Sequence, residues 1–257
     1  MKNKVLIIIP ARLASTRLPG KPLADIFGKT MIERVYLQAV KADMGQVYVA
    51  CDGAEIAEVI NKSGGKAIIT DPALPSGTDR IYAALKQVDV RDEFDIVVNL
   101  QGDLPAIDPE VIKAAVNALI NSNSDIATVA SVIKNKSEIT NPNVVKIAIA
   151  FDNAFDNAFG DDNKKGQALY FSRSAIPYGS SEYYHHIGIY AYKKSALMKF
   201  VSLKPSGLEK IESLEQLRAL ENNIKITVQI VNSHPLSVDT KEDLEAIKKF
   251  IDETGGK

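Results

Sequence analysis

The sequence predicts an α/β fold in which a mostly parallel sheet is flanked by helices. Val5–Ile9 is a short, continuous apolar run, which is typical of a strand buried on both faces. Further runs of this kind lie at Gln46–Ala50, Ala67–Thr70 and Asp95–Leu100. Helical patterns separate these runs, and strands that alternate with helices form parallel sheets with right-handed crossovers.

The segments between the strands have the period of amphipathic helices. In Thr30–Ala42, Ile32 and Val35 fall on one apolar stripe, and Ala54–Lys62 and Thr78–Val88 behave likewise. Two later apolar runs predict strands that extend the sheet, at Ile126–Val132 and Val144–Ala150.

The region from Phe151 to Tyr192 has a different pattern. It contains a tandem repeat of Phe-Asp-Asn-Ala at residues 151–158, followed by a strong turn signal at Gly160–Asn163. We interpret both as an exposed turn or hairpin without a function of its own. The alternation in Tyr184–Tyr192 predicts a strand near a second lobe.

The C-terminal part predicts three more elements. They are an amphipathic helix at Ser213–Asn222, a strand at Lys225–Val231 and a helix at Lys241–Phe250 with Thr240 as its N-cap. Because no flexible Gly/Ser linker interrupts the chain, we expect residues 1–257 to form a single domain, with a smaller lobe around 151–210.

Composition and charge narrow the possible functions. The chain has 257 residues, of which 46% are hydrophobic, and a formal net charge of -1. A core of useful size can therefore form, and nothing predicts a nucleic-acid-binding surface. The single Cys51 excludes an intramolecular disulfide and a cysteine-cluster zinc site. The N-terminal apolar run is too short for a signal peptide, and no segment reaches the roughly 18 apolar residues of a membrane span, so we expect a cytoplasmic protein.

A basic loop, Pro10 to Leu23, directly follows the first predicted strand. It contains Arg12, Arg17 and Lys21 among small residues that let backbone N–H groups approach an anion. Ligands of open α/β sheets bind beyond the carboxyl ends of the strands, so the loop is placed to hold a triphosphate. A merely solvated basic loop is the alternative, but Gly20 and the prolines fix the path of this one. Neither a Walker motif nor a G-x-G-x-x-G fingerprint follows the strand.

Other polar residues are predicted at the same edge of the sheet. Asp103 follows a buried strand through Gln101-Gly102, although alone it could be a turn or capping residue. Ser76-Gly77 opens a helix, whose backbone N–H groups could bind a base or ribose, while Ser76 could equally be an ordinary helix cap. Asp239, far downstream, again lies just after a predicted strand.

Together these motifs resemble those of the nucleotidyltransferases that activate 3-deoxy-manno-octulosonate (Kdo) with CTP, which are related to CMP-sialic acid synthetases. The resemblance covers nearly the whole chain. Besides the basic loop it includes Ser76-Gly77-Thr78-Asp79-Arg80, Val98–Asp103, Ala168–Arg173, His186–Tyr190, Leu214–Arg218 and Val238-Asp239-Thr240. The ordered set is highly specific, whereas any single element would not be.

This resemblance implies a Rossmann-like sheet of the nucleotide-diphospho-sugar transferase type with a smaller α+β lobe for dimerisation and sugar binding. It implies a homodimer that uses Mg²⁺, CTP and an acidic 3-deoxy sugar, and makes CMP-Kdo for lipopolysaccharide synthesis. The implied catalytic residues are Arg12, Lys21, Asp103 and Asp239, of which the two aspartates are metal ligands. The implied nucleotide-binding residues are Pro10, Ala11, Arg12, Ser15, Arg17, Lys21, Ser76 and Gly77. The implied sugar-binding residues are Arg80, Gln101, Arg173, His186, Tyr190, Glu215 and Gln216.

Some of these expectations have specific alternatives. His185 and His186 face opposite sides of a strand, so at most one lines a pocket; we favour His186, with a satisfied structural histidine as the alternative. His234 is expected at the surface. Glu215 and Gln216 lie on a predicted amphipathic helix, where a charged surface face is the ordinary role. Many relatives have an acidic residue where this chain has Leu104, which leaves no metal or water contact from that side chain.

Other functions stay open at this point. A cytidylyltransferase for 8-amino-Kdo or a sialic-acid-like sugar would show the same motifs. A non-catalytic nucleotide-binding regulator could use the same scaffold, although Asp103, Asp239 and Lys21 are all present. A dinucleotide-dependent oxidoreductase lacks its glycine fingerprint.

Overall fold

The computed structural model describes residues 3–15, 17–152, 164–233 and 236–255. The chain divides into two compact units, residues 1–112 with 235–257 and residues 113–234. The second unit begins earlier and ends later than the smaller lobe expected around 151–210. The single domain over 1–257 stays a prediction.

Strands and helices follow one another along the described part of the chain. The strands are β1 (Val5–Ala11), β2 (Asp25–Ile26), β3 (Lys29–Thr30), β4 (Gln46–Cys51), β5 (Ala67–Ile69), β6 (Ile96–Leu100), β7 (Ile126–Val132), β8 (Lys146–Phe151), β9 (Lys165–Ser172), β10 (Tyr184–Lys193) and β11 (Ile226–Ile230). The helices are α1 (Met31–Lys41), α2 (Ala54–Lys62), α3 (Gly77–Val88), α4 (Pro109–Ile120), α5 (Lys136–Thr140), α6 (Lys194–Ser202), α7 (Gly207–Glu212), α8 (Leu217–Glu221) and α9 (Lys241–Glu253). A 3-10 turn, Lys21–Leu23, lies between β1 and β2.

The first unit contains a parallel sheet with the order β5-β4-β1-β6. Every residue of the central strand β1 is buried, as its continuous apolar run predicts. Helices α1, α2 and α3 connect successive strands, which confirms the predicted α/β class. Since the strands are parallel, the chain leaves β1, β4 and β6 at the same edge of the sheet.

The second unit has the strand order β10-β7-β11-β9-β8, and β10 also pairs with β8 at His185–Lys146. Among the described strands of this unit, only β7 and β11 run parallel, and the other pairs are antiparallel. The strand predicted at Val144–Ala150 is present in the sheet as β8, and it runs antiparallel to β9. An apolar run indicates that a strand is buried, but it does not indicate whether the neighbouring strand is parallel or antiparallel.

The helix predicted at Ser213–Asn222 is also wrong in its bounds. Helix α7 ends at Glu212, and Ser213 has φ 53°, a left-handed conformation that terminates it. Residues 214–216 form a turn, and α8 begins only at Leu217. The amphipathic pattern is real, but it spans a turn and a short helix.

Some predictions fall outside the described residues. These are most of the tandem repeat, the turn signal at residues 160–163 and His234. In the described part of the chain, no helix is both long and apolar enough to cross a membrane.

Candidate active site

A crevice of about 310 Å³ opens in the first unit where the chain leaves β1 and β6. Its size lies at the small end of ligand pockets, which range over roughly 300–1,000 Å³. All the predicted catalytic, nucleotide-binding and metal-binding residues line it, together with Arg80 and Gln101 of the predicted sugar set. The lining residues are Pro10, Ala11, Arg12, Ala14, Ser15, Arg17, Lys21, Pro22, Met31, Leu74, Pro75, Ser76, Gly77, Arg80, Gln101, Gly102, Asp103 and Asp239.

The basic loop is held against the crevice by a turn and by a buried side chain. Gly20 has φ 67°, which glycine adopts without strain, and its carbonyl accepts the Leu23 N–H at 2.8 Å. Leu18 is buried in an apolar cluster with Met31 of α1 and Ile247 of α9. The loop therefore has a fixed path, and Lys21 begins the 3-10 turn that follows Gly20.

Lys21 bridges the two predicted metal ligands. Its Nζ lies 3.1 Å from Asp103 Oδ2 and 3.0 Å from Asp239 Oδ1, and only 16% of its side chain is exposed. Burial by itself lowers the pKa of Lys21, but the charge of Asp103 and then the hydrogen bond and charge of Asp239 raise it above its ordinary value. Arg17 Nη2 reaches the other oxygen of Asp239, Oδ2, at 3.2 Å.

Asp239 is positioned by the N-terminus of α9. Thr240 is the N-cap of this helix, as predicted, and forms a capping box with Asp243. The Asp243 carboxylate accepts the backbone N–H groups of Asp239 at 3.0 Å and of Thr240 at 2.9 Å. One residue earlier, the Val238 N–H donates to the Asp103 carbonyl at 3.0 Å. This backbone bond brings the two aspartates side by side although they are far apart in sequence.

Gly102 allows the segment after β6 to approach β1 and α1 closely. A Cβ at this position would lie 2.8 Å from the Pro10 carbonyl oxygen and 3.2 Å from Ile32 Cδ1. The segment after β6 can therefore lie against the end of β1 and the start of α1 only with glycine at this point.

Asp52, which belongs to none of the predicted motifs, holds the basic loop by a hydrogen bond. Its Oδ1 accepts the Leu13 N–H at 3.0 Å, and its Oδ2 lies 3.8 Å from Arg80 Nη2. Arg80 is buried and donates from Nη1 to Thr70 Oγ1 at 2.6 Å. The signal that could have found Asp52 is its place directly after β4, at the same edge of the sheet as the basic loop.

The other crevice residues have defined local roles. Ser76 is the N-cap of α3, accepting the Asp79 N–H at 3.1 Å, which confirms the capping role. Gln101 donates to Asn99 Oδ1 at 2.8 Å, and the buried Asn99 donates in turn to Thr78 Oγ1 at 3.3 Å. These bonds orient the Gln101 amide.

Arg12 differs from the other loop cations. It is exposed at the crevice, and within the described part of the chain its guanidinium has no ion-pair partner. Its charge is therefore available to an anionic ligand.

The remaining predicted sugar-binding residues belong to the second unit. Arg173 contacts main-chain carbonyls: Nε donates to Glu212 at 2.8 Å, Nη1 to Pro142 at 2.9 Å and Nη2 to Ser213 at 3.3 Å. Its own carbonyl accepts from the fully buried Lys146 Nζ at 2.6 Å. In this structure Arg173 joins separate segments of chain.

His186 is 6% exposed and packs edge-on against Phe171, with ring centroids 4.9 Å apart. Its Nε2 lies 3.0 Å from the buried Thr128 Oγ1, which also contacts the carbonyls of Ile187 and Ile189 at 3.3 and 2.7 Å. Burial, and then the charge of His185, lowers the pKa of His186 to about 3. The ring is thus neutral at pH 7. Its contacts with Thr128 and Phe171 are those expected of a buried structural histidine.

Tyr190, Glu215 and Gln216 complete the predicted set. The Tyr190 ring centroid lies 5.4 Å from that of His186, and burial, then Tyr192 and Glu215, raises the Tyr190 pKa well above its ordinary value. Glu215 Oε1 lies 3.8 Å from Arg218 Nη2. Both Glu215 and Gln216 lie on the turn between α7 and α8, not on a helix.

The donor chemistry of the first unit fits magnesium. Asp103 and Asp239 converge on one point, and Mg²⁺ is commonly held by one or two carboxylates, substrate phosphates and waters. No cluster of three or more His, Cys, Asp or Glu side chains occurs among the described residues, so a protein-only cage is absent there. Leu104 is buried with 4% exposure, and its side chain has no oxygen to offer a metal.

Known proteins resemble this chain over almost its whole length. Residues 6–226 match the family model described as cytidylyltransferase. The 3-deoxy-manno-octulosonate cytidylyltransferase of Brucella anthropi is 51% identical over 248 residues, which cover 96% of each chain. The protein of the same name from Paramagnetospirillum magneticum is 46% identical over 246 residues, 96% of this chain and 97% of that one. The solved structure of CMP:2-keto-3-deoxy-manno-octonic acid synthetase complexed with CTP has a TM-score of 0.86 and 36% identity, covering 98% of this chain and 100% of that chain.

Proposed function

This chain belongs to the cytidylyltransferase family, and within it to the 3-deoxy-manno-octulosonate cytidylyltransferases, and from this we propose that it transfers CMP from CTP to Kdo. The products are CMP-Kdo and pyrophosphate. The observation that carries the proposal is the convergence of Asp103, Asp239 and Lys21 at one end of the crevice that the basic loop lines. The loop cations can bind the phosphates of a nucleotide, and the two carboxylates can bind a metal ion that accompanies it.

The reaction needs positive charge where the triphosphate lies. The anomeric hydroxyl attacks the α-phosphorus in line and loses its proton to solvent, the bond from the α-phosphorus to the bridging oxygen of the β-phosphate breaks, and pyrophosphate leaves with the electron pair of that bond. Arg12 is exposed and unpaired within the described residues, so it binds phosphate oxygens directly. Lys21 and Arg17 add charge from the same loop, and the backbone at Gly77, the first residue of α3, favours a polar group of the nucleotide.

Asp103 and Asp239 would hold magnesium. When bound, the ion supplies positive charge to the phosphates and to the attacking oxygen. The capping box of α9 and the Val238–Asp103 backbone bond hold the backbone at the two aspartates, so their carboxylates lie side by side before a ligand binds.

The sugar acid is assigned to a set of cationic, amide and hydroxyl groups. Arg80 and Gln101 lie in the crevice, and both are oriented by hydrogen bonds to neighbouring side chains. Arg173, His186, Tyr190, Glu215 and Gln216 are proposed from the resemblance alone. Arg173 and His186 also make hydrogen bonds within the second unit that are typical of structural residues.

Pyrophosphate release with CTP and Mg²⁺ tests the proposal, with Kdo, 8-amino-Kdo and N-acetylneuraminate compared as acceptors. We expect release with Kdo that EDTA abolishes. Release with another sugar only would keep the reaction and replace the acceptor. No release with any of the three, despite CTP binding, would contradict the proposal and favour a nucleotide-binding regulator.

The remaining expectations extend this proposal. We propose a cytoplasmic homodimer whose product serves lipopolysaccharide synthesis. Sedimentation velocity at micromolar concentration measures the oligomeric state, and a single species of about 28.0 kDa would contradict the dimer.

A further inference from the structure

The ammonium of Lys21 occupies the point on which the two metal-ligand carboxylates converge. It donates to Asp103 Oδ2 at 3.1 Å and to Asp239 Oδ1 at 3.0 Å, and the side chain is mostly buried. One positive charge thus lies between two negative charges. Without it, two adjacent carboxylates would repel each other in a partly desolvated crevice.

A divalent cation bound by the same pair would compete with the Lys21 ammonium. The ammonium donates to one oxygen of each carboxylate, and magnesium binds carboxylate oxygens at about 2.0–2.1 Å. An ion shared by Asp103 and Asp239 would therefore displace the ammonium from the pair. Each provides the charge that the pair requires.

We propose that Lys21 is the counter-ion of the Asp103–Asp239 pair in the nucleotide-free protein, and that nucleotide binding releases the pair to the metal. This inference rests on the proposed function, because the triphosphate is the ligand that attracts the ammonium away. A nucleoside triphosphate has about four negative charges, which compete with the two of the aspartate pair. Lys21 has a flexible four-carbon stem that can follow either set of charges.

This exchange couples metal and nucleotide binding. A cation that binds free protein must displace an ammonium, whereas a cation that arrives with the nucleotide meets carboxylates without their counter-ion. By linkage, nucleotide and metal then raise each other's affinity. The free protein is kept from binding divalent cations at a site that is useful only with substrate.

Arg17 is a weaker counter-ion for the same pair. It contacts Asp239 through Nη2 at 3.2 Å, and 59% of its side chain is exposed. Because solvent screens such a pair, its removal should change metal affinity less than removal of Lys21.

Binding of Mn²⁺ to the nucleotide-free protein, measured by electron paramagnetic resonance, tests the proposal without any turnover. Manganese prefers the same oxygen ligands as magnesium. Lys21→Met keeps the length of the side chain and removes its charge, and we expect it to tighten Mn²⁺ binding by about tenfold or more. Arg17→Met should give a smaller change. An unaltered Mn²⁺ affinity in Lys21→Met would overturn the proposal.

Two further variants keep the result specific. Lys62→Met removes an exposed lysine that pairs with Glu58 on α2, and it should bind Mn²⁺ like the wild type. The double variant Lys21→Met/Asp103→Asn should lose the added affinity, because half of the pair is gone. Tight binding that persists in the double variant would place the ion elsewhere and overturn the proposal.

Thermal unfolding gives an independent measurement. Lys21→Met should unfold at a lower temperature than the wild type in EDTA, and millimolar Mg²⁺ should restore more of its stability than it adds to the wild type. An equal response to Mg²⁺ in both proteins would contradict the exchange. Pyrophosphate release distinguishes this inference from the proposed function. If the wild type releases no pyrophosphate but Lys21→Met still binds Mn²⁺ more tightly, the proposed function is wrong and the counter-ion role of Lys21 stands.

Discussion

At the scale of single residues, the crevice depends on charges that come from separate parts of the chain. Lys21 follows β1, Asp103 follows β6, and Asp239 precedes α9. Each alone has an ordinary alternative role. Their distances of about 3 Å make them one electrostatic unit, in which a change to any member affects the other two.

Asp103→Asn tests this unit directly. The change preserves shape and removes one negative charge, so we expect kcat to fall by about 100-fold or more while the KM for CTP changes little. Steady-state pyrophosphate release measures both constants. Asp43→Asn is the matched control, because Asp43 is exposed after α1 and has φ 50°, which asparagine also tolerates. A near-normal kcat in Asp103→Asn would remove Asp103 from the metal site.

Thr128 supports a buried polar contact in the second unit. Thr128→Val would leave the carbonyl of Ile189 and the ring of His186 without the hydroxyl they contact now, so we expect a loss of about 1–3 kcal/mol in the free energy of unfolding. Thr128→Ser keeps the hydroxyl and should lose less. Urea denaturation measures both variants, and equal stability of the valine and serine variants would contradict the hydrogen-bond explanation.

At the scale of elements, helix α9 connects local capping to the position of a site residue. Asp243→Ala removes the carboxylate that accepts two backbone N–H groups at the start of the helix. We expect a loss of about 0.5–2 kcal/mol in stability and a lower kcat/KM, because Asp239 becomes less well fixed. Glu245→Ala, an exposed position within α9, serves as the control in both measurements. A variant that loses stability but keeps full kcat/KM would show that the cap does not position Asp239.

At the scale of the whole molecule, the neutral buried His186 makes global stability depend on pH. Its folded pKa of about 3 lies below the ordinary value of 6.5, so between these values the unfolded chain binds the proton more readily. Stability should therefore decrease as the pH falls from about 6.5 towards about 3, by up to about 1.4 kcal/mol per pH unit from this residue. Chemical denaturation across this range, compared with His186→Gln, measures the contribution. The same slope in both proteins would contradict it.

Elements whose signal is local can be predicted from the amino-acid sequence. The apolar run of β1, the helical periods of α1 to α3 and the N-cap Thr240 of α9 are all visible without a structure, because burial on both faces and capping depend on neighbours in the chain. The same holds for the loop cations and for the placement of Asp103 after a buried strand. Resemblance to known motifs then connected these residues to one chemistry.

Contacts between groups that are distant in sequence became visible only in the folded chain. The fold brings Asp52 to the Leu13 N–H, 39 positions away, and Thr128 to His186, 58 positions away. It also collects carbonyls from separate segments around Arg173. It also decided the direction of β8 and the end of α7 at Ser213. The physical reason is the same throughout: hydrogen bonds, ion pairs and strand directions depend on partners that a local pattern does not contain, whereas periodicity and capping are set within a few residues.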